Sequence, residues 1–95
     1  GLDPVAREHF LQFIDRLGRQ RNTPTIVLIT HHVEEIMPVF THALLLCKGR
    51  DVAHGPVKRI LKNDTLSKAF DCEVAISRRQ GRYWLTAQPS RASVM

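Results

Sequence analysis

Five consecutive residues, Thr25-Ile26-Val27-Leu28-Ile29, are apolar or β-branched, with no polar residue alternating among them. A strand wetted on one face alternates in character. An unbroken run of this kind reads instead as a strand covered on both faces, the usual state of a strand in a parallel sheet flanked by helices. Pro24 opens the run and Thr30-His31 closes it. Val33, Ile36, Met37 and Phe40 then follow at helical spacing, which predicts a helix over residues 32–37 that Pro38 kinks or ends. Ligands of open α/β sheets bind at the carboxyl ends of the strands, so His31 is the candidate functional residue. On physics alone a histidine after a strand is more often a solvated loop residue, and the other elements have to weigh against that.

The sequence before the run predicts a helix. Asp3 suits its N-cap and Pro4 its first position, where a missing N–H costs nothing. Ala6, Phe10, Phe13, Ile14 and Leu17 form the expected inward stripe, Gly18 begins the end, and residues 19–22 make a polar, basic loop. After Pro38, residues 42–47 carry Ala43-Leu44-Leu45-Leu46 and predict a second buried strand. Lys48–Asp51 reads as a four-residue turn and Val52–His54 as an antiparallel edge strand. Gly55-Pro56 introduces a short helix through Val57, Ile60 and Leu61. Asn63-Asp64-Thr65 caps another, with Leu66, Ala69 and Phe70 facing inward. Cys72–Ser77 and Tyr83–Thr86 alternate around Arg79-Gln80-Gly81 as a terminal hairpin, and from Pro89 the tail is expected to be disordered.

The chain has 95 residues, enough for one modest core, and it opens at Gly1-Leu2-Asp3-Pro4, which reads as the middle of a longer polypeptide. Net charge is +5, from 14 Lys and Arg against 9 Asp and Glu, but the excess is spread over residues 16–21, 58–62 and 78–82. Spread in this way it reads as solvated surface, and nucleic acid is not the expected partner. Cys47 and Cys72 are isolated, which fits a reducing compartment and argues against a disulfide framework. No apolar run approaches the ~18 residues that a membrane span needs. His31 and His32 adjoin, but no Cys or carboxylate set has ligand spacing, so no metal site is expected. No glycine-rich phosphate loop of the form G-x-x-x-x-G-K-[ST] occurs.

Taken in series, Gly1-Leu2-Asp3-Pro4, the helix, Thr-Ile-Val-Leu-Ile-Thr-His, Glu34-Glu35, Leu-Leu-Leu-Cys-Lys-Gly-Arg and Ala-His-Gly-Pro-Val-Lys-Arg-Ile-Leu resemble the C-terminal portion of the ATP-binding cassette (ABC) ATPases. The match runs from Gly1 to about Phe70. The resemblance implies an α/β fold: part of a P-loop NTPase sandwich, mainly parallel strands with flanking helices, plus a small helix and β-hairpin appendage. It divides the chain into residues 1–71 of the nucleotide-binding domain, a hairpin extension 72–88 and a tail 89–95. Gly1-Leu2-Asp3 is similar to the D-loop, whose aspartate lies at the dimer interface. Thr30-His31 resembles the switch (H-loop), whose histidine contacts the ATP γ-phosphate and is catalytic. That role is physically sensible, because an imidazole N–H is a directed donor to developing phosphoryl charge. His32 departs from the commoner aspartate after the switch histidine. Glu34 and Glu35 are expected to be surface groups on a helix's first turn, since the family's general base would precede Gly1.

By the same resemblance, Walker A, the Q-loop, the signature motif and Walker B would also precede Gly1. ATP and Mg²⁺ are thus the implied cofactors, with the Mg²⁺ ligands upstream. The 95 residues alone are expected to be inactive, and the intact protein to be an ATPase that powers transport. Its implied partners are a second nucleotide-binding domain and membrane permease subunits, at the cytoplasmic face of a membrane. Two alternatives stand beside this: a soluble ABC protein acting on nucleic acid or ribosomes, and a non-enzymatic binding module using Arg82, Tyr83 and Trp84 as its contact surface.

Overall fold

A computed structural model describes residues 3–88, so the expected tail and Gly1-Leu2 lie outside the described residues. Helix α1 spans Pro4–Gly18. Asp3 is its N-cap, in extended conformation, and its Oδ1 accepts from the Ala6 N–H at 2.8 Å. The helix ends where the Thr23 hydroxyl comes within reach of the Leu17 carbonyl, which also accepts from the Gln20 N–H, and of the Gln20 carbonyl beyond the last turn. Its buried residue is Leu11, while Phe10 and Phe13 are exposed. The expected stripe is therefore rotated, and only Ala6, Ile14 and Leu17 of it are even partly covered.

Gly18 lies against Val39, where an added Cβ would come within 2.5 Å of Cγ2. Val39 has little freedom to yield, because its backbone N–H donates to Asp15 Oδ1 at 3.0 Å. Gly18→Ala gains up to ~1 kcal/mol of helix propensity and loses ~1–3 kcal/mol to overpacking. The expected outcome is a lower melting temperature; a higher one would show that propensity wins.

Residues 24–31 run on with none of their backbone groups paired to backbone among the described residues. The expected strand, covered on both faces, is not formed here: Val27 is 80% exposed and Ile29 92%. The reason is local and simple. A parallel strand exists only through its neighbours, and none of the described residues lies beside it as one. The expected helix over 32–37 is likewise reduced to a single 3₁₀ turn, Val33–Glu35, after which Ile36 takes an extended conformation.

Strands β1 (His42–Cys47) and β2 (Arg50–Pro56) form an antiparallel hairpin. Its turn has two residues rather than four: Lys48 and Gly49 both adopt positive φ (53° and 75°), the geometry that matches strand twist. A bulge leaves Val52 unopposed, since Leu45 pairs with Ala53 and Leu46 with Asp51. β1 is half covered and not buried; Ala43 and Leu45 turn inward while Leu44 and Leu46 stay exposed.

Helices α2 (Val57–Ile60) and α3 (Asn63–Phe70) follow. The N-cap of α3 is Lys62, not the Asn63-Asp64-Thr65 group. The Asn63 carboxamide oxygen instead accepts from the Ile76 N–H at 2.8 Å, which ties α3 to the next strand. Leu66 is fully buried as expected, whereas Phe70 is half exposed. Strands β3 (Glu73–Arg79) and β4 (Arg82–Gln88) close a second antiparallel hairpin around Gln80 and Gly81 (φ 53° and 78°).

The fold is thus mixed α/β, but the described residues hold two separate two-stranded antiparallel sheets in place of mainly parallel strands. One core joins the two. Val33, Val57, Leu61, Leu66, Val74 and Tyr83 are buried together, with Ile36, Phe40, Ala43, Leu45, Ile76 and Leu85 packed around them. The terminal hairpin is part of this core, through Val74 and Tyr83.

Candidate functional site

His31 occupies a bend at the end of the bare segment and is exposed. Its two neighbours hold the bend. The Thr30 hydroxyl accepts from the His32 N–H at 3.0 Å and donates to the Glu35 carboxylate. A Thr side chain bonded two residues ahead closes a local turn, and His31 is the residue enclosed by it. The imidazole itself makes no hydrogen bond among the described residues, so either ring nitrogen is open to a ligand beyond the loop.

The loop is anchored to its surroundings at two points. Glu35 Oε2 lies 3.8 Å from Arg7 Nε on α1. On the other side the Arg82 Nη2 donates to the Glu34 carbonyl at 2.8 Å, while Arg82 Nη1 pairs with Glu8, the next residue along α1. The Arg82 guanidinium also lies over the Trp84 ring, 5.9 Å from its centroid. Glu35 and Arg82 are therefore largely covered anchors of the loop. The expectation that Glu35 is a surface group is corrected by its side chain being only 18% exposed. Arg82 and Trp84 do share a face, on which Arg82 is bonded to this chain's own loop and Trp84 stays 47% exposed; Tyr83 points the other way into the core.

Asp3 caps α1, whose next turn carries Arg7 and Glu8, so the cap and the His31 bend are joined through α1. His32 contributes its backbone to the bend and exposes its side chain. His42 pairs with the Thr41 hydroxyl and His54 with Asp51 at 2.7 Å, both at the surface of the first hairpin. Cys47 and Cys72 are free. Among the described residues no group of three His, Cys, Asp or Glu could hold a metal ion, and no helix is long and apolar enough to cross a membrane. This arrangement offers one directed imidazole donor and no nucleophile–base pair.

No family model matches the chain. Individual relatives do. The chain is 42% identical over 90 residues, 94% of its length, to an uncharacterized ABC transporter ATP-binding protein of Bacillus subtilis, of which it covers 34%. It is 40% identical over 76 residues, 80% of its length, to an ABC transporter ATP-binding protein of Streptococcus mutans, of which it covers 29%. These relatives are ABC transporter ATP-binding proteins. The chain matches the C-terminal portion of the ABC ATPase and spans about a third of the length of these relatives. A more distant ABC relative is a thiamine import ATP-binding protein of Vibrio vulnificus, 34% identical over 56 residues, 59% of this chain and 24% of that one. In fold, the whole chain superposes on 38% of an ABC transporter chain solved in an inward-facing conformation, with a TM-score of 0.72 at 20% identity.

Proposed function

We propose that this chain is the C-terminal part of an ABC ATPase that couples ATP hydrolysis to transport. The observation that carries the proposal is the bare, apolar segment 25–29 ending in an exposed histidine whose ring has no partner. In this reading the segment enters a parallel sheet supplied by the rest of a longer protein. Residues 1–71 belong to the nucleotide-binding domain, and 72–88 are an extension of it. His31 then donates to the γ-phosphate and helps to hold the attacking water, a task of positioning and electrostatics.

The residues present fit one corner of an ATP site. His31 suits the terminal phosphate, but the described residues include no carboxylate set for Mg²⁺ and the sequence no glycine-rich cradle. No step through Mg²⁺ is assigned to this chain. Asp3, at the head of α1, sits at the interface with a second nucleotide-binding domain. Permease subunits are the further partners, at the cytoplasmic face of a membrane.

The test is purification of the full-length protein from its own organism, with ATP hydrolysis measured alone and with whatever membrane subunits accompany it. ATP hydrolysis together with permease subunits supports transport; hydrolysis with ribosomes in their place points to the soluble alternative. Asp3→Ala separates two roles in the same assay. Loss of the cap lowers stability by only ~1 kcal/mol, so a larger effect on turnover than on melting is expected. A normal rate with a lowered melting temperature would leave Asp3 as a cap and nothing more.

A further inference from the structure

We infer that Arg82 is a positioning residue for the His31 loop, through which the C-terminal hairpin sets the placement of the switch histidine. The inference rests on the function proposed above for His31. Its own basis is geometric. One guanidinium joins three elements far apart in sequence: β4, the Glu8 carboxylate on α1, and the Glu34 carbonyl three residues past His31. The hairpin also brackets the far end of the same loop, because a Cβ on Gly81 would lie 3.1 Å from Pro38 Cγ. Between these two contacts Val33 and Tyr83 are buried in the common core.

The His31 imidazole has no hydrogen bond of its own among the described residues, so its position follows from the backbone that carries it. That backbone has only one 3₁₀ turn of regular structure. The Thr30–Glu35 bond, the Arg7–Glu35 pair and the Arg82–Glu34 bond are what hold it. Arg82 is the one of these that comes from outside the nucleotide-binding core. Its side chain is only 19% exposed, and its buried Nε has no partner. A covered guanidinium with an unsatisfied N–H is a poor source of net stability. What it does supply is direction: a planar fork that donates to a carboxylate and a carbonyl together, which a point-charge lysine does not reproduce. Catalytic donors tolerate little displacement; a shift of ~1 Å costs on the order of 100-fold in rate.

The experiment uses the full-length ATPase containing this chain, with steady-state ATP turnover, nucleotide KM and melting temperature measured for each variant. Arg82→Ala is expected to lower kcat by about tenfold, part of the cost of a full misplacement, with KM for ATP within twofold of wild type. Arg82→Lys, which reaches Glu8 or the carbonyl but not both, is expected to fold normally and fall between. The charge swap Glu8→Arg with Arg82→Glu rebuilds the ion pair but leaves the Glu34 carbonyl without a donor. It is expected to recover melting temperature and not kcat. Recovery of kcat by the swap, or wild-type kcat in Arg82→Lys, would overturn the inference and leave Arg82 a structural ion-pair partner. His31→Ala in the same series keeps the two failures apart. If it abolishes turnover while Arg82→Lys is normal, only the positioning role is lost; if it leaves turnover intact, the reading of His31 falls instead.

Discussion

His31→Ala in the full-length protein is expected to reduce ATP turnover on the order of 10²–10³-fold while nucleotide binding persists. The size is that of removing one preorganised donor from a transition state, about 3–4 kcal/mol. The ground is the placement of the ring: exposed, without a hydrogen bond among the described residues, on a bend whose backbone is fixed by Thr30 and Glu35. A residue kept for folding would have its polar atoms satisfied inside the protein. Removing this one leaves no orphaned group in the chain, so the melting temperature should hardly move. Steady-state assays and nucleotide titration together check the result, and turnover within twofold of wild type would remove His31 from the mechanism. His32→Ala provides the contrast. It retains the backbone N–H on which the bend depends, and should be mild.

The second large effect depends on context. Ile29 is 92% exposed in this chain, so Ile29→Asp in a fragment of these residues should change stability by no more than ~0.5 kcal/mol and should improve solubility. On the function proposed above, the same substitution in the full-length protein places a carboxylate in a covered strand. There it forfeits ~1.5–3 kcal/mol of apolar burial and adds several kcal/mol for an unpaired buried charge. Most domains are stable by only ~5–15 kcal/mol, so the full-length variant is expected to be largely insoluble. Denaturant unfolding of both forms checks this. Equal tolerance in the two would mean that residues 25–29 acquire no sheet neighbours.

That contrast also explains what the sequence revealed and what it hid. The start of α1 was legible because Asp3 and Pro4 act on the nearest backbone alone. The two hairpins were legible from Gly49 and Gly81, although the first turn is two residues shorter than expected. The pattern at 25–29 describes a strand with neighbours, and no described residue is one, so the coil observed there was not readable. Residues 32–37 failed for a different reason. Their apolar spacing is helical, yet the Thr30 hydroxyl and the Arg82 guanidinium bind the Glu35 side chain and the Glu34 carbonyl and stop the chain after one 3₁₀ turn. Spacing also misplaced Phe10 and Phe13, because nothing in α1 states which side the body of the protein lies on. At the candidate site, His31 and Asp3 are named by the motif alone. Arg82 stands beside aromatic residues in the sequence, and its contacts with Glu8 and Glu34 leave no local signal, because those residues are 74 and 48 positions away.

Within four residues the chain passes from Ile29, almost wholly in solvent, to Val33, a member of the common core. One side of that seam is packed, and on the other Val27 and Ile29 are exposed while Ile26 and Leu28 are only partly covered. The bond that Thr30 accepts from the His32 N–H and the one it gives to Glu35 stand at this seam, so the bend is tied to the packed side. His31 is thus carried by the last bend before the core begins, with exposed apolar chain on one side of it and packed chain on the other.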